Sequence, residues 1–189
     1  MFSDLERNRI DHLVVAGVVA ALGGHLPHLG HDDGALEEAF IRSLSRESVY
    51  QRMLSGGTKV TREWIAYMTQ IDYLRHMAFA ITTVSEGTEK FVGVGRYVVD
   101  AQGRSADVAL VIADAWQGIG LGRRLLEILP DHARAAGVGE MAGLVLATNV
   151  RMLRLARSLG CAVSPEPGDA TLLRISKALG TDLHVDFIR

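Results

Sequence analysis

Cysteine is scarce here, and so is any bias of charge. One cysteine, Cys161, occurs in 189 residues. An intramolecular disulfide and a Cys-x-x-Cys metal site are therefore excluded, which fits a cytoplasmic protein kept in a reducing compartment. A formal net charge of −2 and a pI near 6.4 leave no basic footprint, so nucleic acid is not an expected partner. Nor is a membrane. The apolar run from Leu13 to Leu22 is too short to span a bilayer, and the mixed charges before it, Asp4, Glu6, Arg7, Arg9 and Asp11, do not make a signal peptide. His25, His28, His31, Asp32 and Asp33 cluster in the sequence, yet their spacing suits neither a helical pair nor a finger, and no metal is expected.

What remains is enough for one substantial core. Residues 1–23 read as an N-terminal extension, helical, although Val14, Val15, Val18 and Val19 would also suit a strand. The extension could bury these valines against its own sheet or against a second copy, which leaves a homodimer open. Residues 24–189 read as the domain proper. A short strand is expected around His25 to Leu29. Helix spacing then runs from Asp33 to Leu54, with Ser45 opening a second helix, and Thr61 precedes a capped helix over residues 62–68. Strands follow at Met77 to Val84, Phe91 to Val99 and Ala106 to Ile112, joined by loops at residues 85–90 and 100–104 to give an antiparallel meander. A helix begins near Leu121, with Pro130 expected to kink or divide it. Met141 to Ala147 reads as a strand, Asn149 to Leu159 as a helix, and Ala170 to Ile175 as a last strand beyond a loop holding Pro165 and Pro167. This order implies an α+β fold with helices around one mixed sheet.

The most informative segment is Trp116-Gln117-Gly118-Ile119-Gly120-Leu121-Gly122-Arg123-Arg124, lying between an apolar strand and an amphipathic helix. Alternate glycines allow a tight turn that gathers several backbone N–H groups, and the helix behind it directs its positive dipole end to the same point. A pyrophosphate fits such a cradle. The pattern is neither a P-loop, which ends in Gly-Lys-Ser/Thr, nor the Gly-x-Gly-x-x-Gly of dinucleotide folds.

With Ala106 to Asp114 upstream, this segment resembles the acetyl-CoA motif of the GNAT superfamily of N-acetyltransferases. Residues 40–52, Ile71-Asp72-Tyr73 and Ala109 to Gly122 resemble the bacterial Pat-type protein lysine acetyltransferases, and the likeness runs from about residue 24 to 177. It implies a GNAT fold, a mixed central sheet flanked by helices, with acetyl-CoA as co-substrate. It also implies that Leu110, Val111 and Ile112 pair with the pantetheine arm as though it were a strand. Gln117, Gly118, Ile119, Gly120, Leu121, Gly122 and Arg123 would hold the pyrophosphate, and Asn149 would steady the arm from the other side. A simple helix N-cap is an equal reading of Asn149.

Acetylating an amine requires removing a proton from a group whose pKa is about 10.4. Asp107 falls where Pat-type enzymes carry a glutamate, and is the expected general base. It is one methylene shorter, about 1.5 Å less reach, so a bridging water is expected. Asp107, Ala109 and Val111 should share one strand face, and Val108, Leu110 and Ile112 the other. The bland alternative for Asp107 is a turn-capping or solvated aspartate. Ala156 stands where many relatives place a proton-donating tyrosine, and Leu144 where others place a glutamate, so Asp107 is left as the local carboxylate.

Arg151, Arg154 and Arg157 make a stripe that would suit CoA's 3′-phosphate or an acidic substrate, or simply a solvated face. Trp116 and Cys161 read as packing residues; Tyr50 and Tyr73 read as lining the acceptor side or as core. The leading expectation is an acetyl-CoA-dependent N-acetyltransferase acting on a primary amine, a protein lysine, by direct attack. The alternatives are a small-molecule amine acetyltransferase and a non-catalytic acyl-CoA sensor.

Overall fold

The computed structural model describes residues 33–54, 61–69, 71–85 and 87–180. The expected extension and the strand around His25 lie outside them.

Three short helices come first: α1 (Gly34–Ser43), α2 (Arg46–Met53) and α3 (Arg62–Thr69). The Ser45 side chain caps α2 by accepting from the Ser48 N–H at 3.1 Å, and Thr61 does the same for α3 through the Trp64 N–H. The meander follows as β1 (His76–Ser85), β2 (Thr88–Val99) and β3 (Ser105–Ile112). Its first hairpin is tighter than the sequence indicates, because the strands pair as far as Ser85 and Thr88. A register shift between Ile81 and Thr82 lets neighbouring residues change faces.

Helix α4 (Leu121–Ala135) carries the chain to β4 (Glu140–Leu146), which lies parallel to β3. Pro130 does not divide α4. One backbone hydrogen bond is forfeited there, while Pro130 is buried and Leu125, Leu126 and Leu129 bury the turn before it. Next come α5 (Val150–Ser158), β5 (Ala162–Glu166) and β6 (Asp169–Ala178). The strand β5 runs through Pro165, where the sequence indicates only a loop. The sheet order β1-β2-β3-β4-β6-β5 puts this proline on an edge, where a missing N–H costs no ladder bond.

Both faces of the sheet are covered. Leu121, Leu125, Leu129 and Ala133 of α4 pack on Met77, Phe79, Tyr97, Ala106 and Ile112. On the opposite face Phe40 and Ile41 of α1, with Leu44 just past its end, meet Ala78, Ala80, Val94 and Val111. Burying a side chain of this size contributes about 1.5–3 kcal/mol, so each helix is fixed by its apolar stripe. α5 seats Leu153 and Ala156 on Val145 and Ile175. Among the described residues no helix is long and apolar enough to cross a membrane.

Candidate active site

The sheet comes apart at its middle. β3 and β4 pair only through Ser105, Ala106 and Asp107 with Glu140, Met141 and Ala142. Past that point β4 continues to pair with β6, out to Leu146, but not with β3. Gly143 sits at the fork. A side chain there would place its Cβ 2.6 Å from the Val108 carbonyl oxygen, so only glycine lets the strands run this close before they part. Beyond the fork, the β4-facing edge of β3 has no strand partner, and a cleft of about 1100 Å³ opens along it.

Val108, Ala109, Leu110, Val111 and Ile112 form one wall of the cleft, Leu144, Val145 and Asn149 the other, and Ser48, Gln51 and Arg52 of α2 contribute a third side. The glycine loop closes its end through Gln117, Gly118, Gly120, Gly122 and Arg123. Ile119 and Leu121 turn their side chains into the α4 core instead, so only their backbones belong to the loop. Gly118 and Gly120 have φ of 85° and 98°, which residues with a Cβ rarely adopt. Gly120 precedes helix α4 as its N-cap, so the helix starts with no side-chain cap and no acid in its first turn. Arg123 and Arg124 occupy that turn instead, against the preference of the helix dipole. Uncapped N–H groups and two guanidinium groups together make an end that an anion would satisfy.

Polar bonds hold the loop against α2. Asp114 accepts from the Ser45 N–H and hydroxyl at 2.9 and 2.7 Å and from the Ser48 hydroxyl at 2.8 Å. Burial opposes its charge, but these bonds outweigh that and keep its carboxyl below the usual range. The Gln117 side chain donates to Ser48 Oγ and to the Ile112 carbonyl, both at 3.1 Å. It therefore braces the loop. Asn149 caps α5 by accepting from the Met152 N–H, and its amide donates to Gln51 Oε1 at 3.1 Å across the cleft. The capping reading and a place on the cleft wall hold together.

Asp107 is exposed, in the last paired position before the fork. It does not line the cleft, but begins one residue before the wall and lies on the strand face of Ala109. Ala156 is fully buried and Leu144 lines the cleft as an apolar surface. Arg151 and Arg154 line it too, whereas Arg157 does not. Trp116 packs on the α4 core, Cys161 is half-buried beside α5, and Tyr50 and Tyr73 are exposed outside the cleft. Among the described residues no group of three metal-binding side chains forms.

A split parallel pair, with an uncapped helix start at the end of the opening, puts an unpaired strand edge and an anion site in one cleft. The Acetyltransferase (GNAT) family model matches residues 42–161. The chain belongs to the GNAT acetyltransferase family. Acetyltransferase PA5475 of Pseudomonas aeruginosa is 31% identical over 143 residues, covering 76% of this chain and 77% of that protein. Acetyltransferase Pat of Mycolicibacterium smegmatis is 30% identical over 117 residues, 61% of this chain but only 34% of its own length. Among solved structures, the GNAT domain of S. lividans PAT superposes with a TM-score of 0.71 at 24% identity, covering 81% of this chain and 89% of that one. This acetyltransferase has the GNAT fold, resembles the Pat branch, and uses acetyl-CoA as its co-substrate.

Three charged residues escaped the sequence reading as site residues: Arg52, which lines the cleft, and the buried pair Glu37 and Arg96 behind it. Glu37 Oε1 accepts from Arg96 Nη2 at 2.7 Å, and Arg96 Nη1 donates to the Met68 carbonyl at 2.7 Å. Both residues are buried. Signals were present. Glu37 shares helix spacing with Phe40, Ile41 and Leu44, and Arg96 interrupts the apolar run of β2.

Proposed function

We propose that this acetyltransferase moves an acetyl group from acetyl-CoA directly to the side-chain amine of a protein lysine. In this reading the amides of residues 117–123 and the Arg123 guanidinium hold the diphosphate. The pantetheine arm lies along the open edge of Leu110, Val111 and Ile112, and Asn149 exchanges its bond with Gln51 for one to the arm. The acetyl group then reaches the fork, where a backbone N–H of β3 freed from pairing meets the developing oxyanion.

Asp107, through a water, takes the proton that the amine sheds as its nitrogen bonds to the acyl carbon. Collapse expels the thiolate, which recovers a proton from solvent, since Ala156 and Leu144 offer no acid. The lysine acceptor rests on the resemblance to the Pat branch; the carrying observation for the cofactor is the uncapped, arginine-bearing start of α4 at the end of an unpaired strand edge.

Two measurements test the proposal. Asp107→Asn is expected to lower kcat at least about 100-fold, the usual scale for general-base loss, with acetyl-CoA affinity by calorimetry within about twofold of the parent. Unchanged kcat removes Asp107 from the mechanism. Labelled acetyl-CoA with a lysine peptide panel and an amine panel checks the acceptor. Transfer to free amines alone shows a small-molecule enzyme, and binding without transfer shows an acyl-CoA sensor.

A further inference from the structure

Two arginines and one carboxylate meet beneath α2, and their charges do not cancel. Glu37 spends Oε1 on Arg96, while its Oε2 is buried with no hydrogen-bond partner among the described residues. Arg52 stands beside this pair on the cleft wall. Burial pulls its pKa down to about 10, Arg96's like charge pulls the same way, and Glu37 opposes both. Among the described residues no hydrogen bond or salt bridge engages the Arg52 guanidinium. A partly exposed cation that shares its counter-charge and makes no bond to it has donors left to give.

Its place in the cleft says to what. Ser48 marks the glycine-loop end of α2, through its bonds with Asp114 and Gln117. Arg52 lies one helical turn farther on, about 6 Å along the axis. Arg96, its neighbour, pairs across the ladder with Ala109, two residues from Asp107 and on the same strand face. Arg52 therefore belongs to the fork and not to the phosphate end. Glu47, at the opposite end of α2, is the one carboxylate of that helix and also lines the cleft.

We propose that Arg52 receives a carboxylate carried by the acceptor next to its reacting amine, so that preferred lysines are flanked by aspartate or glutamate. The proposal rests on the lysine reading above and extends it to sequence context. An arginine fork matches a carboxylate in two parallel bonds, and partial burial protects that pairing from the screening that weakens surface pairs.

The test compares peptides that are identical except for Glu, Gln or Arg immediately before the lysine, using the full chain and acetyl-CoA. The parent is expected to favour Glu over Gln by about tenfold in kcat/KM. Arg52→Gln should erase that preference, Arg52→Lys should keep part of it, and Arg52→Glu should turn it toward the Arg peptide. Calorimetry with acetyl-CoA reports whether each variant still folds; should the substitutions disrupt folding, the parent's own Glu-to-Gln ratio decides. Equal use of the two peptides by the parent, or an undiminished preference in folded Arg52→Gln, overturns this inference and leaves the lysine reading intact. If no peptide is acetylated, the lysine reading fails, and the same comparison is made with free lysine against cadaverine. Equal use of those two, or transfer to neither, overturns the carboxylate site as well.

Discussion

Asp114 shows how one side chain can carry a whole junction. It ties the loop after β3 to the start of α2 by bonds to Ser45 and Ser48. Asp114→Ala should therefore weaken acetyl-CoA binding, read by calorimetry, because the glycine loop loses its brace. Its carboxyl titrates below the ordinary aspartate value in the folded chain. The stability it contributes is thus present above that ordinary value and is lost as pH falls through the depressed one. The gap in thermal midpoint between parent and Asp114→Asn should accordingly close on acidification into that range. Glu37 behaves in the opposite sense. Burial outweighs Arg96 and raises its carboxyl above the usual range, so its charged form is disfavoured by folding. Even so, Glu37→Ala strands Arg96 in the core and should cost about 3–5 kcal/mol in urea unfolding, more than Glu37→Gln, which can keep a bond to Arg96. Such pairs were readable only as anomalies, an acid on an apolar helix stripe and an arginine inside an apolar strand. No spacing rule says that the two side chains meet.

At the scale of elements, local rules did well where one force dominated. Ser45 and Thr61 announce the starts of α2 and α3, since a hydroxyl three residues before a free N–H is a local bond. Gly137 and Gly160, with φ of 84° and 79°, close α4 and α5 by the same kind of local rule, a left-handed residue that glycine adopts without strain. Pro130 and Pro165 misled for a common reason. A proline's local cost is fixed, but burial in α4 and an edge place in β5 are tertiary facts that the local pattern does not contain. The loop glycines give a prediction at this scale. Gly120→Ala forces a Cβ onto a φ of 98°, and should cost about 1–2 kcal/mol of stability together with a larger loss of acetyl-CoA affinity, measured by thermal melts with and without ligand. No neighbour lies within 4 Å of the added Cβ, so backbone strain and not crowding would be the cause.

For the molecule as a whole, the order of elements and the alternation of β3 were legible, and the family followed from several separated segments at once. The fork was not, because it depends on where two distant strands stop pairing and on Gly143, which alone in β4 permits the near contact with Val108. Only three residue pairs of the ladder join β3 to β4. This seam is the shortest ladder in the described sheet, and a carrier lying between β3 and β4 would act as the missing rung. Saturating acetyl-CoA should thus slow amide hydrogen exchange on both sides together, in residues 108–112 and 143–149, while the outer strands β1 and β5 change little. The reactants would then be completing the sheet that holds them, so that each turnover mends the molecule on loading and reopens it on release.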